Sequence, residues 1–244
     1  MSVTRRAFEE YGRRSDWLDA DAEAKLRWFE ALLASTYRPR LPAPPDASIL
    51  EIGCNRGYML HGLQEAGYRN LEGVDLSPGE VDLARELTGL EGLHAGDAVD
   101  LLRRRESAYD AIVFKAVLEH VPREGLEPLL GAVARGLAPG GVVLCEVPNM
   151  DWYAAAHERF MDVTHEMGYT PESLKQVFEL YFKSVEVVPV VDPSHEALAP
   201  PWRRFARKLV FGLARRVLRL LGEDTAGYRF DVRSILAVAR DPRP

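Results

Sequence analysis

The sequence predicts an α/β fold, a parallel sheet covered by helices on both faces. Two observations carry this. Short apolar runs, SILEIG (48–53), YDAIVF (109–114) and VVLCEV (142–147), read as strands. They alternate with stretches whose apolar residues recur every three or four positions, the spacing of a helix face. Strands and helices alternating at this pace build a parallel sheet with two covered faces.

Each element follows in order. Leu26, Phe29 and Leu33 predict a helix over about 20–37, before a proline-rich linker, RPRLPAPPD (38–46). Residues 1–46 thus form a helical extension, a candidate lid, ahead of the main domain at 47–244. SILEIG is the first strand, and YMLHGLQEAG (58–67) is a helix closed by Gly67. NLEGVDL (70–76) is the second strand. Ser77 as N-cap, Pro78 at N1 and Glu80 at N3 start a helix running to about Thr88. A weak strand is expected near 91–95, then the strong strand 109–114. Leu126, Leu129, Leu130, Val133 and Leu137 mark a helix over 122–137. After the turn Pro139-Gly140-Gly141 comes the buried strand 142–147. Thr170-Pro171-Glu172 opens a helix to about Phe182, and strands follow at 184–191 and 234–240. Between those two lies an insertion, 192–233.

Composition narrows the function. The chain has 244 residues, 47% hydrophobic and 28% charged, which excludes wholesale disorder and suits one decorated domain. A net charge of −6 argues against a globally basic nucleic-acid binder. Two cysteines, Cys54 and Cys145, make neither a disulfide framework nor a usual zinc site, and a reducing cytoplasm is the simplest setting. No run of 18 apolar residues is present, and the N-terminal stretch lacks a signal peptide's apolar core.

The chemistry starts at the end of the first strand, Glu51-Ile52-Gly53-Cys54-Asn55-Arg56-Gly57. A glycine turn lets the backbone pass close to a ligand, and the next helix offers free N–H groups. Asp75 ends the second strand 18 residues after Gly57, where a carboxylate can hold both hydroxyls of a ribose. Both features face one crevice, so a nucleoside-containing ligand is expected. The turn does not match G-x-G-x-x-G, which sets a nicotinamide dehydrogenase aside.

ILEIGCNRG, GVDLS, AGDAVD, YDAIVFKAVLEHV and LAPGGVVLCEVPN, in this order, resemble the successive motifs of class I S-adenosylmethionine (SAM)-dependent methyltransferases. The resemblance covers about 48–191 plus the last strand. It implies a Rossmann-like, seven-stranded, mostly parallel sheet with an antiparallel last strand. It implies that Glu51, Gly53 and Gly57 meet the methionine part of SAM, Asp75 the ribose, and Asp97 with Ala98 the adenine. Cys54, Asn55, Leu76 and Lys115 complete the implied cofactor set. Asn55 stands where the family has a glycine, and asparagine tolerates left-handed backbone angles.

Two histidines are candidate catalytic groups, because imidazole titrates near neutrality. His120 lies in LEHVP after the fourth strand, where the alternative is cofactor-pocket lining. His165 lies in RFMDVTHEMGYTPESL (159–174), with Asp162 three residues earlier as its expected orienter. D-x-T-H followed by Y-T-P-E-S-L resembles the corresponding loop of bacterial methyltransferases of glycan and polysaccharide biosynthesis. That resemblance implies a sugar hydroxyl as acceptor, with His165 as base. Asp162, Glu166 and Asp151 could help hold a divalent metal, and the sequence leaves the metal open.

Residues 203–222 carry seven basic residues and no acid, with Arg204, Lys208, Arg215 and Arg219 on one side of a helix. Leu209, Val210, Leu213, Val217, Leu220 and Leu221 occupy the other. Such a helix packs on the domain, lies on an anionic membrane surface, or meets an anionic polymer or nucleotide-linked acceptor. The readings are therefore a SAM-dependent O-methyltransferase on a sugar or glycan precursor, lipid-linked acceptors included; the same enzyme class on a small natural product or quinone-like ring; and a non-catalytic SAM-binding scaffold. A nucleic-acid methyltransferase lacks the expected N/D-P-P-Y/F after the fourth strand.

Overall fold

A computed structural model describes residues 22–43, 45–194, 198–222 and 229–243. Residues 1–21 and 44 of the expected N-terminal extension, and part of the insertion, lie outside the described residues. Helix α1 (Ala22–Leu32) continues as a wider π-helical stretch, Leu33–Tyr37. The expected helix over 20–37 thus changes character where the Ser35 hydroxyl donates back to Ala31 O, 2.8 Å away. Such bonds compete with the helix ladder.

The elements that follow are β1 (Ser48–Ile52), α2 (Tyr58–Glu65), β2 (Asn70–Asp75), α3 (Pro78–Thr88), β3 (Leu93–Ala95) and α4 (Ala98–Leu102). Next come β4 (Tyr109–Lys115), a 3-10 turn (Leu118–His120), α5 (Arg123–Gly136) and β5 (Leu137–Pro148). The last are α6 (Ala155–Phe160), α7 (Pro171–Glu179), β6 (Phe182–Pro189), α8 (Pro201–Leu220) and β7 (Ser234–Pro242). The sheet order is β3-β2-β1-β4-β5-β7-β6. β1 to β5 pair in parallel, and β7 runs antiparallel between β5 and β6.

Period-two alternation sorts the strand residues onto two cores. Ile49, Val113, Leu144 and Leu236 face the side of α1, α2 and α3. Leu50, Ile52, Ile112, Phe114 and Cys145 face the side of α5 and α7, where Phe178 stacks between Phe114 and Phe182. The chain order reverses between β1 and β4, and the crevice at the carboxyl ends of those strands is where such sheets bind ligands.

Capping at α3 differs from expectation. The Ser77 side chain makes no cap bond. Instead its N–H donates to Asp75 Oδ1, and Glu80 pairs with Arg56 at 3.1 Å. The charge partner has taken the carboxylate a capping box would have used. At α7 the expected start holds, because Thr170 and Ser173 form a reciprocal capping box. Gly67 closes α2 at φ +96°, with Tyr68 N–H donating to Leu63 O.

Candidate active site

The turn after β1 is left-handed at three positions: Gly53 (φ +71°), Asn55 (φ +45°) and Gly57 (φ +78°). Asn55 therefore does adopt the conformation a glycine would. A Cβ on Gly53 would stand 2.3 Å from Val117 Cγ2, so that side chain would also have to shift. The backbone N–H groups of Gly53 and Cys54 both donate to Val74 O, which ties the turn to β2.

Asp75 is the centre of this half of the crevice. Its Oδ2 accepts from Asn55 N–H and its Oδ1 from Ser77 N–H, each at 2.9 Å. The turns after β1 and β2 thus aim the carboxylate before any ligand arrives, and each oxygen keeps a lone pair for a hydroxyl. Burial pushes its pKa above the ordinary carboxylate value, against the two backbone bonds. Asp97 caps α4 by accepting from Val99 N–H at 2.7 Å.

These residues border one cavity of about 1630 Å³, together with Glu51, Cys54, Leu76, Ala98 and Lys115. Gly57 does not line it. A Cβ there would meet Ala84 and Thr88 at 3.1 Å, so Gly57 lets α2 come close to α3. At the cavity floor, Tyr37 O–H donates to Glu146 Oε2 at 2.6 Å, and Lys115 Nζ stands 3.4 Å from Glu146 Oε1. Lys115 also lies over the Trp28 ring, 5.4 Å from its centroid. Glu51 is buried, its Oε2 has no hydrogen-bond partner among the described residues, and burial followed by nearby Asp75 raises its pKa. An orphaned buried carboxylate oxygen beside a carboxylate poised for hydroxyls fits a ligand with an ammonium at one end and a ribose at the other. SAM is such a ligand.

The opposite half gathers side chains from separate segments. The rings of His120 and His165 are 4.8 Å apart. The expected Asp162–His165 pair does not form. Thr164 follows Asp162 closely enough for its N–H and hydroxyl both to donate to Asp162 Oδ1, at 2.8 and 2.7 Å. The Thr164 hydroxyl oxygen is in turn 2.9 Å from His120 Nδ1, so the acid orients His120 through a threonine. His165 Nδ1 lies 2.8 Å from Glu158 O. A carbonyl only accepts, so Nδ1 carries the proton and Nε2 carries the lone pair. Burial, then His165, lowers the His120 pKa to about 4 and keeps that ring neutral.

Glu119 completes this group. It is buried, both carboxyl oxygens lack hydrogen-bond partners among the described residues, and burial raises its pKa to about 8. Glu119, His120 and His165 offer ligand atoms within 4.8 Å of one another, a donor set of oxygen and imidazole nitrogen that suits a divalent ion. The expected metal candidates are not in that set. Asp151 turns back so that its N–H meets Asn149 Oδ1, and Glu166 contributes its backbone N–H to Glu119 O. Sequence reasoning missed Glu119, Thr164, Glu146 and Tyr37. A charged residue inside the apolar run VVLCEV was the signal for Glu146. Glu119 was adjacent to His120, but only packing shows that it is buried and unpaired.

The turn, the acid and the cavity define a nucleoside-ligand crevice on a Rossmann-like sheet. Residues 23–181 match the family described as "Methyltransferase domain", and the chain belongs to that family, within the class I SAM-dependent methyltransferases. SAM is its cofactor. The Ubiquinone biosynthesis O-methyltransferase of Hydrogenovibrio crunogenus is 31% identical over 145 residues, 55% of this chain and 58% of that relative. The chain therefore aligns with little more than half the length of that curated relative. A SAM-dependent methyltransferase from Archaeoglobus fulgidus has the same fold, with a TM-score of 0.65 at 20% identity over 98% of this chain and 99% of that one. So does the Haemonchus contortus phosphoethanolamine N-methyltransferase 2 in complex with SAM, with a TM-score of 0.59 at 15% identity over 96% of this chain and 60% of that one.

Proposed function

We propose that the protein transfers the methyl group of SAM to a hydroxyl, with a sugar of a glycan or glycan precursor as acceptor. The observation that carries the hydroxyl reading is His165, whose Nδ1–H is tied to Glu158 O so that the neutral ring has its lone pair on Nε2, at the same cavity as Asp75 and Glu51. SAM supplies a methyl carbon activated by its sulfonium. Asp75 orients the ribose, Glu51 meets the ammonium end, and Asp97 with Ala98 borders the adenine. The cavity walls hold the acceptor oxygen in line, and His165 Nε2 takes its proton as the new C–O bond forms and the S–CH₃ bond breaks. Neutral His120, held by Thr164 and Asp162, packs beside His165 and fixes its ring.

The sugar reading is supported by the D-x-T-H…Y-T-P-E-S-L loop that bears His165. A second reading, a phenolic hydroxyl on a quinone-like ring, is favoured by Trp28 and Phe29 on the cavity wall and by the name of the Hydrogenovibrio crunogenus relative. In either case Trp28 of α1 borders the cavity, and its Nε1–H donates to Ser194 Oγ at 3.2 Å. The test is transfer of labelled methyl from SAM to separated glycan, lipid, small-metabolite, protein and nucleic-acid fractions. Label in glycan that His165→Ala abolishes supports the first reading. Label confined to quinone-type lipids replaces it with the second, and SAM binding without label in any fraction leaves a scaffold.

A further inference from the structure

We infer that α8 docks the protein on an anionic lipid bilayer, its apolar face in the membrane interface and its basic residues against lipid phosphates. The observation is an inverted helix. A helix that packs on its own domain turns its apolar stripe inward. None of the residues of α8 is buried. Its half-buried side instead carries Arg204, Arg207, Phe211, Ala214, Arg215 and Leu218. Arg215 Nη2 pairs with Asp231 Oδ1 at 2.6 Å, Arg207 donates to Asp231 O, and Phe211 meets Tyr153 and Phe230 with ring centroids 5.9 and 5.7 Å away.

The opposite side holds Trp202, Phe205, Leu209, Leu213, Val217 and Leu220, between 46% and 87% exposed. At about 100° per residue these fall on one stripe diametrically opposite Phe211. Nothing among the described residues covers this face. A contiguous exposed apolar surface of this kind marks a docking site.

Charge decides what docks. At the same angular spacing Arg203 flanks the apolar stripe on one edge, Lys208 flanks it on the other, and Arg216 projects from the stripe itself, with no acid anywhere in 201–222. A second copy of the helix would set cation against cation. An anionic bilayer satisfies both parts, hydrocarbon for the stripe and phosphate for its flanks. At about 1.5 Å per residue the helix offers roughly 30 Å of contact along the surface. The anchor points also lie beside the acceptor end of the cleft. Tyr153, which touches Phe211, leads into the segment of His165, and on that segment Phe160, Met161 and Val163 are exposed as well. Arg233, two residues after Asp231, pairs with Glu158 at the cavity wall. Docking therefore brings the acceptor end toward lipid, and it stands whether the acceptor is a sugar or a phenol.

The test is sedimentation of the full chain with vesicles of phosphatidylglycerol and phosphatidylcholine, and with phosphatidylcholine alone, at low and high salt. Binding only to the anionic vesicles is expected, weakened by salt. Leu209→Ser/Leu213→Ser and Lys208→Glu/Arg216→Glu should each lower partitioning about tenfold or more. Both leave Tm and SAM affinity unchanged, because these side chains touch neither the body nor the cavity. Failure of the SAM-binding protein to sediment with anionic vesicles at low salt overturns the inference, as does undiminished binding by the variants. A dimer in solution that Leu209→Ser/Leu213→Ser dissolves, without vesicle binding, overturns it in favour of self-association.

Discussion

The two halves of the cleft are built differently. The turn of the cofactor half is shaped by backbone, because Gly53, Asn55 and the N–H groups of Asn55 and Ser77 set it and aim the Asp75 carboxylate within a short stretch of chain. The acceptor half is made by side chains from distant segments, with Glu119 and His120 after β4, His165 after β5 and Trp28 on α1 meeting only in the folded protein. A backbone-built site tolerates side-chain change wherever the conformation survives. A site built from converging side chains depends on each one.

The largest expected effect is at His165. His165→Ala should cut turnover about 10²- to 10⁴-fold, the usual contribution of a general base, while the Kd for SAM stays put. Titration calorimetry and steady-state rates separate the two. Chelation sharpens the same point, because with His165 as base EDTA leaves turnover unchanged. Turnover that collapses in EDTA and returns with magnesium would instead assign Glu119, His120 and His165 to a metal.

Asp75→Asn comes next. Losing the charge at two hydroxyl contacts should weaken SAM binding about 10- to 100-fold, at roughly 1.5–3 kcal/mol for a charged hydrogen bond. In the parent protein SAM affinity should fall on acidification from a higher pH than an ordinary carboxylate would give, because burial raises the Asp75 pKa and the protonated acid cannot accept both hydroxyls. Asp75→Asn flattens that profile.

A smaller effect is expected at Glu119. Its folded pKa of about 8 lies above the unfolded carboxylate value of about 4.3. The native state keeps a proton the unfolded chain has lost, so stability falls as pH rises through that window. Glu119→Gln never ionises, and thermal melts should show it gaining on the parent toward pH 8. The smallest is at Asn55. Asn55→Gly should leave Tm and SAM affinity almost unchanged, whereas Asn55→Val should cost about 1–2 kcal/mol through left-handed strain.

The cofactor half was legible in the sequence because its determinants are local. Gly53, Asn55 and Asp75 sit at strand ends, and strand ends can be read from apolar runs. Gly57 shows the limit, since its packing against Ala84 and Thr88 is a contact between helices. In the acceptor half, the spacing of Asp162 and His165 suggested a direct pair, and Thr164 between them took the carboxylate instead. Amphipathic α8 was equally visible as a pattern, but a pattern does not say which face meets the domain.

The sequence by itself determined the alternation of elements, the turn after β1, the acid Asp75 at the end of β2 and the basic helix, all of which follow from residue type and near-neighbour spacing. Only the tertiary structure decided that Glu119 is buried without a hydrogen-bond partner among the described residues, that His120 and His165 stand 4.8 Å apart, and that the apolar face of α8 points outward. Burial, desolvation and the direction of a helix face depend on what the rest of the chain packs against them, and that is set by contacts between residues far apart in sequence.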